Sequence, residues 1–248
     1  MEKSPKVLVG CPTDNKKEYC LDKYAESIKT LTYKNYEVLL IDNSQGEEYT
    51  KKIKKKGIPV IHKRVSDKAA DNVIYCANML REKVLSEGYD YLLMLESDVV
   101  PPRDIIERLL KLDSKVASGV IFHVYGTRDE NGNKVLNHRA LIALRQDKKN
   151  PQMISFFKVE QVMQADYPIE VDYASFGCIM IHKDVLKEFK FRYEDYTSKT
   201  SGLPDIFWHD MCFSKDILEK GRKIKVDLGA KCQHLIFPGK HITNTGLA

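Results

Sequence analysis

The sequence predicts an α/β fold in which a mostly parallel central sheet is covered by helices on both faces. Short apolar strand patterns alternate with amphipathic helix patterns through the first half of the chain. Extended segments and hairpin signals replace them in the second half, which predicts a smaller antiparallel portion. A length of 248 residues and a hydrophobic fraction of 43% allow one domain with a sizeable core.

The elements of the first half follow one another in strand–helix order. Each predicted strand is a short apolar run, and each predicted helix has apolar residues three or four positions apart. Helices of this length between strands predict βαβ crossovers and parallel pairing. The predicted strands are residues 6–11, 36–44, 58–64, 91–95 and 116–122, and the predicted helices are residues 17–31, a charged segment after residue 44, 69–86 and 103–112.

The second half reads differently. Residues 125–145 predict a hairpin that turns at Asn131-Gly132, and residues 149–168 read as an irregular, proline-bounded insertion. We expect one domain over 1–248, with residues 1–120 forming a nucleotide-binding half and residues 121–248 completing the site. The remaining predicted elements are a strand, a turn at Gly177 and a strand over 169–183, a helix over 205–221 that Gly221 ends, and a strand over 223–235.

Composition and charge limit the classes of function that we expect for this chain. No apolar run approaches the roughly 20 residues of a membrane span, and the first ten residues lack a signal-peptide layout. The six cysteines are scattered without a Cys-x-x-Cys pair, which predicts reduced thiols in a cytoplasmic protein. The net charge is +5, and its densest run, residues 51–57, is typical of an exposed helix end rather than of a nucleic-acid groove.

Three polar clusters follow predicted strands, where ligands bind in open α/β sheets. They are Pro12-Thr13-Asp14, Asp42-Asn43-Ser44 and Glu96-Ser97-Asp98. Each alone is equally typical of a turn or a helix cap. Together they predict a shared site at one edge of the sheet.

The segment YDYLLMLESDVVPP, residues 89–102, is the most informative of these strand ends. A fully apolar strand runs into Glu96 and Asp98, and Pro101-Pro102 stops it. Two carboxylates so close repel each other unless a cation joins them. Oxygen ligands suit Mg²⁺ or Mn²⁺, which also bridge to substrate phosphates. Because the sequence has no glycine-rich phosphate loop, a bound diphosphate would need that metal.

Four motifs carry a resemblance to a known family. In the order and approximate spacing of these motifs, the chain resembles family 2-like glycosyltransferases of the GT-A fold. The motifs are VLVGCPTDN, YEVLLIDNS, YDYLLMLESDVVPP and FWHDMCFSKDILEKGRKIKVD…CQH. The resemblance covers most of the chain, residues 126–166 excepted. It implies a Rossmann-like three-layer sandwich and metal-dependent transfer of a sugar from a nucleotide-diphosphate sugar to an acceptor hydroxyl, with inversion.

The resemblance also implies roles for the strand-end residues. Glu96-Ser97-Asp98 looks like the family's Asp-x-Asp motif, with Glu for the first Asp and Asp98 as metal ligand. Asp42 matches the acid that holds the base or ribose, and Asn78 resembles an Asn near the nucleotide, although the family's preceding Arg is missing. The implied nucleotide-sugar-binding residues are Pro12, Thr13, Asp42, Asn43, Asn78, Glu96 and Ser97.

Further matches lie toward the C-terminus. His209-Asp210 stands where the family has Glu-Asp, so the resemblance implies that Asp210 is the general base and that His209 contacts the acceptor. Trp208 could stack on a sugar, and Gly177 resembles a small residue beneath the acceptor pocket. His234 matches a metal-binding His, which makes Glu96, Asp98 and His234 the implied metal ligands. An Asp in a first helical turn is also favoured by the helix dipole alone.

Two other functions stay open at this level. A nucleotidyltransferase also places carboxylates and metal at strand ends, but usually with a glycine-rich loop that GCPTDNKKE lacks. A non-catalytic nucleotide-sugar or glycan-binding protein is the third reading. The expected partners are a UDP- or GDP-sugar and a glycan, lipid-linked or protein acceptor, with no nucleic acid and with peripheral membrane contact as an option.

Overall fold

The structure, a computed structural model, describes residues 4–128, 130, 132–147, 150–197, 204–237, 240–243 and 246–247. Its strands are β1 (Val7–Thr13), β2 (Tyr36–Asp42), β3 (Val60–His62), β4 (Tyr91–Leu95), β5 (Val99–Val100), β6 (Val116–Arg128), β7 (Lys134–Asp147), β8 (Asn150–Lys158), β9 (Pro168–Val171), β10 (Tyr173–Ala174), β11 (Cys178–His182), β12 (Glu194–Thr197), β13 (Pro204–Phe207), β14 (Ile224–Phe237), β15 (Lys240–Thr243) and β16 (Gly246–Leu247). Its α-helices are α1 (Leu21–Lys29), α2 (Glu48–Lys55), α3 (Ala69–Ser86), α4 (Ile105–Lys111), α5 (Val159–Met163), α6 (Lys183–Glu188) and α7 (His209–Glu219).

The central sheet has a parallel front part in the order β3-β2-β1-β4. β11 lies antiparallel between β4 and β6, and β14 runs parallel to β6. β7 and β8 extend β6 as an antiparallel ribbon. The α/β fold with a mostly parallel centre and added antiparallel strands is therefore confirmed.

Helices cover both faces of this sheet. One apolar cluster packs α1, α2 and α4 against β1, β4 and β11 through side chains such as Tyr24, Ile53 and Ile106. The other packs α3, α6 and α7 on the opposite face, with Leu80 and Phe213 among its buried members. Strands buried on both faces read as continuous apolar runs, which explains the sequence YLLML of β4.

Several predicted elements are confirmed closely. α3 and β4 have the predicted bounds, and the hairpin between β6 and β7 forms. Gly132 has the left-handed φ of +80° that a tight turn needs, while Asn131 lies outside the described residues. The lysines of α2 are exposed, as predicted; Lys52 pairs with Glu18, and Lys56, just after the helix, pairs with Asp22.

Other boundaries were wrong. The interpretation of 149–168 as irregular fails, because β8 pairs with β7 and α5 follows it. The helix predicted over 205–221 begins only at His209, since residues 204–207 form β13 and pair with β12. The helix predicted over 17–31 is split into a 3-10 helix, Asn15–Cys20, and α1. In the first two cases pairing with the preceding strand decides the local conformation, and Asp14 caps the 3-10 helix in the third.

Candidate active site

The fold brings the three polar clusters together. Thr13 and Asp42 are register partners at the ends of the parallel strands β1 and β2. The Thr13 Oγ1 and Ser97 Oγ atoms lie 2.8 Å apart, which joins the end of β1 to the turn after β4. The three polar clusters therefore lie side by side at one edge of the sheet, as predicted.

A cavity of about 170 Å³ opens at this edge. It is bounded by all three clusters, by the 3-10 helix after β1 and by the start of α7. Its lining residues are Pro12, Thr13, Asp14, Lys17, Asn43, Val73, Met94, Glu96, Ser97, Asp98 and His209. We call it the front cavity.

Asp98 is the most buried acid of the front cavity, with 2% of its surface exposed. Lys17 Nζ contacts its Oδ2 atom, and His234 Nε2 lies 3.4 Å from the same oxygen. Burial opposes ionisation of Asp98, but the contacts with His234 and Lys17 prevail and lower its pKa to about 2. The other oxygen, Oδ1, is buried without a hydrogen-bond partner.

His234 reaches this carboxylate from β14. Its Nδ1 atom lies 3.1 Å from the carbonyl oxygen of Phe122, to which it can only donate. In the neutral ring that bond leaves the Nε2 lone pair on the side of Asp98. Burial opposes protonation, yet the neighbouring Asp98 raises the pKa of His234.

The residues present fit a divalent cation. A buried carboxylate oxygen without a partner and an oriented imidazole nitrogen are both suitable ligands. Among the described residues, no group of three or more His, Cys, Asp and Glu side chains converges as a ready-made metal cage. A metal here would therefore take its other ligands from a diphosphate and water, which is how Mg²⁺ usually binds.

Glu96 occupies the turn between β4 and β5. Its backbone N–H donates to the carbonyl of Gly177, and its carbonyl accepts from the N–H of Val99. Burial, followed by the charge of Asp98, raises the pKa of Glu96 to about 7. A nearby cation would favour the ionised form of both acids.

The structure places Asp42 differently from Asp98. Its Oδ1 atom accepts hydrogen bonds from the backbone N–H and the hydroxyl of Ser44, and its Oδ2 atom accepts from Thr50. It is fully buried, whereas the adjacent Asn43 lines the cavity. Asp42 thus holds the turn that presents Asn43, and a direct contact with a nucleotide stays a prediction.

Asn78 and Gly177, like Asp42 and His234, are not among the residues that line the front cavity. The Asn78 amide donates to the carbonyls of Ile74 and Phe191 and accepts from the Phe191 N–H, so it ties α3 to a remote loop. Gly177 lies beneath the Glu96 turn, where a Cβ atom would come within 2.1 Å of Ile121. Its smallness therefore permits close packing under the site.

A second cavity, of about 590 Å³, adjoins the front cavity, and we call it the rear cavity. Its walls come from β7, β8, β10, β13 and the start of α7. Its lining residues are Val73, Glu96, Arg139, Ile154, Phe156, Tyr173, Tyr196, Ile206, Phe207, Trp208, His209, Asp210 and Met211. Val73, Glu96 and His209 line both cavities, so the two spaces meet there.

Asp210 lies in the first turn of α7 and lines the rear cavity. Its Oδ2 atom accepts a 2.7 Å hydrogen bond from the Tyr173 hydroxyl, and its Oδ1 atom accepts from the Met211 N–H. Burial, reinforced by Asp210, raises the pKa of Tyr173, so Tyr173 stays a donor. The carboxylate is oriented by neutral donors and has no cation paired with it among the described residues.

His209 and Trp208 precede Asp210 in the chain; His209 lines both cavities, and Trp208 lines the rear cavity. His209 is buried edge-to-face against Phe176 at 4.8 Å, its Nδ1 atom has no partner, and burial lowers its pKa. It is therefore a neutral ring at the junction of the cavities. Trp208 is 40% exposed beside the rear cavity.

Sequence reasoning missed three residues of the site. Lys17 was missed because it meets Asp98 only through tertiary structure. Tyr173 and Arg139 were missed because their segments gave no motif. No local pattern in residues 134–158 singles out Arg139, since the aromatic residues of that segment are confined to the adjacent pair Phe156-Phe157.

Comparison with known proteins adds an independent finding. Residues 9–190 match the model of the family described as glycosyl transferase family 2. The crystal structure of A197 from STIV is similar in fold, with a TM-score of 0.51 and 14% identity over 98% of this chain and 92% of that chain. A search of curated protein sequences finds no match. Asp210 and His234 lie outside the matched residues.

No helix in the described part of the chain is long and apolar enough to cross a membrane.

Proposed function

Because the chain belongs to glycosyl transferase family 2, we propose that it moves a sugar from a nucleotide-diphosphate sugar to an acceptor hydroxyl with the help of a divalent cation. The observation that carries this proposal is the junction of the two cavities at Glu96 and His209. One cavity holds cation-binding groups, and the other holds an oriented carboxylate. A donor in the front cavity and an acceptor in the rear cavity would meet at that junction.

In this proposal the front cavity holds the nucleotide diphosphate, as UDP or GDP. Pro12, Thr13 and Asn43 line the part reached by the base and ribose. Asp98 and His234 would hold Mn²⁺ or Mg²⁺, with Glu96 beside them. The metal would supply Lewis-acid stabilisation of the leaving diphosphate. Lys17 would add a second positive charge next to the diphosphate, because its ammonium already faces the cavity.

Asp210 is the proposed general base. Its carboxylate faces the rear cavity, and Tyr173 holds it in one orientation. An acceptor hydroxyl within hydrogen-bond reach could give its proton to Asp210 as the oxygen attacks the anomeric carbon. The C–O bond to the acceptor forms while the bond to the diphosphate breaks. A single displacement of this kind inverts the anomeric centre.

A panel of nucleotide sugars tests the proposal. The protein is incubated with UDP- and GDP-sugars, Mn²⁺ and a mixed acceptor pool, and release of nucleoside diphosphate is measured together with transfer of labelled sugar. Transfer that requires Mn²⁺ supports the proposal. Pyrophosphate formed from a nucleoside triphosphate and a sugar phosphate indicates a nucleotidyltransferase. Tight binding without release or transfer indicates a binding protein.

A further inference from the structure

Arg139 is a cation in the rear cavity to which no role has yet been given. It lies on β7, opposite His123 of β6 and Lys158 of β8. Its guanidinium carbon lies 4.1 Å from the centroid of the Phe156 ring and 4.9 Å from that of Tyr125. Stacking of a guanidinium on aromatic rings is favourable and fixes its plane.

The guanidinium has stacking partners but no acidic partner among the residues that the structure describes. Its Nε atom is buried without a hydrogen-bond partner, and no ion pair between described residues includes Arg139. A buried N–H without an acceptor costs free energy until a ligand supplies one. A planar fork of donors held in this way is suited to a carboxylate or a phosphate.

Arg139 and the proposed base share one cavity and a chain of contacts. The Phe156 ring that stacks on Arg139 packs edge-to-face on Tyr173, with centroids 5.6 Å apart. Tyr173 in turn donates to Asp210. Among the described residues that line the rear cavity, Arg139 is the one Arg or Lys, and Glu96 and Asp210 are the acids. The cavity therefore has an acidic end at the junction and a cationic side wall.

We infer that the acceptor is an anionic sugar, whose carboxylate or phosphate binds Arg139 while its reacting hydroxyl faces Asp210. The inference rests on the proposed transfer reaction and adds the class of acceptor. The aromatic walls, including Tyr196 and Trp208, suit the apolar face of a sugar ring. The cavity volume of about 590 Å³ lies within the range of small-molecule sites. The anion belongs to the acceptor rather than the donor, because Arg139 does not line the front cavity.

Matched sugars test this class. Binding of glucose, glucuronate and glucose 6-phosphate to the protein, loaded with UDP or GDP and Mg²⁺, is measured by ligand-observed NMR titration. We expect at least one anionic sugar to bind about 10- to 100-fold more tightly than glucose, as for a hydrogen bond to a charged group. The carboxylate and phosphate arms identify which anion is preferred. Equal affinity for all three sugars would overturn the inference.

Substitutions of Arg139 then test whether this residue causes the preference for an anionic sugar. Arg139→Gln should remove the preference for the anionic sugar and leave the weak glucose affinity and the nucleotide affinity unchanged, whereas Arg139→Lys should keep part of the preference. Lys134→Gln, on the exposed start of the same strand, is the matched charge control. Thermal melting establishes that each variant is folded. An equal loss for neutral and anionic sugars, or a loss confined to the nucleotide, would overturn the inference. Failure of the unmodified protein to bind either nucleotide with Mg²⁺ would instead contradict the proposed function.

Discussion

At the end of β2, Asp42 accepts hydrogen bonds from its own turn and from α2, and both of its oxygens are used. At the end of β4, Asp98 is contacted on one oxygen by Lys17 and His234, and its other oxygen has no partner. Asp42 is the last residue of an apolar strand, Asp98 lies three residues after another, and the two acids are almost equally buried. Hydrogen-bond partners, and not burial, therefore distinguish an acid that holds a turn from one that is available to a ligand.

We expect the largest effect from a substitution of Asp210, because its carboxylate, like that of Asp98, is available to a ligand: it is oriented by neutral donors and faces a cavity. Asp210→Asn keeps the size and can still accept from Tyr173, but it cannot take a proton. We expect transfer to fall about 10²–10⁴-fold with donor binding nearly intact. Turnover and melting temperature are measured on the same variant.

Glu219→Gln, at the exposed C-terminal end of α7, is the control for lost helix charge. Near-normal turnover of Asp210→Asn would leave Asp210 as a helix-terminal acid, a position that the dipole favours by itself.

Asp98→Asn should have the next largest effect. The variant keeps the shape of the side chain but loses the charge that a divalent cation needs, and amide oxygens are weaker ligands. We expect metal-dependent affinity for nucleoside diphosphate to fall about 100-fold, at the upper end for disturbed metal ligation. Calorimetry with and without Mn²⁺ measures it, with the exposed Asp104→Asn as control. Unchanged affinity in Mn²⁺ would remove Asp98 from the metal site.

Asp42→Asn should act on stability instead. It removes the charge from three internal hydrogen bonds, and a charged hydrogen bond typically contributes about 1.5–3 kcal/mol. We expect a lower free energy of unfolding in urea, with Asp67→Asn at an exposed surface pair as control. A variant of normal stability with about 10- to 100-fold weaker nucleotide binding would instead support the direct contact that the family resemblance implies.

Lys17→Gln should give the smallest change, with opposite signs for two ligands. Lys17 competes with a metal for Asp98, so its loss should strengthen binding of Mn²⁺ alone. The same loss should weaken binding of nucleoside diphosphate about tenfold, as expected for one charge-assisted contact. Calorimetry with each ligand and with the exposed neighbour variant Lys16→Gln measures both effects. Two changes of the same sign would mean that Lys17 serves only to hold Asp98.

The sequence was sufficient to predict the alternation of strands and helices, the bounds of α3 and β4, and the polar clusters at the strand ends. These features depend on local sequence. A strand that is buried on both faces has a continuous run of apolar residues, and a helix that is buried on one face has apolar residues with a period of 3.6. The acids of the turn after β4 follow from the same local reading, since the turn comes directly after the strand.

Which of those residues come into contact depends on long-range packing that the local sequence does not encode. Lys17 and His234 reach Asp98 across long stretches of chain because β1, β4, β5 and β14 are brought side by side. Asn78 is hydrogen-bonded to the backbone of Phe191, and Arg139 gains its stacking partner Phe156 only when β8 pairs with β7. Periodicity reports whether a side chain is buried, but it carries no information about which remote strand lies beside it. The partners that separate Asp42 from Asp98 could therefore be seen only in the folded chain.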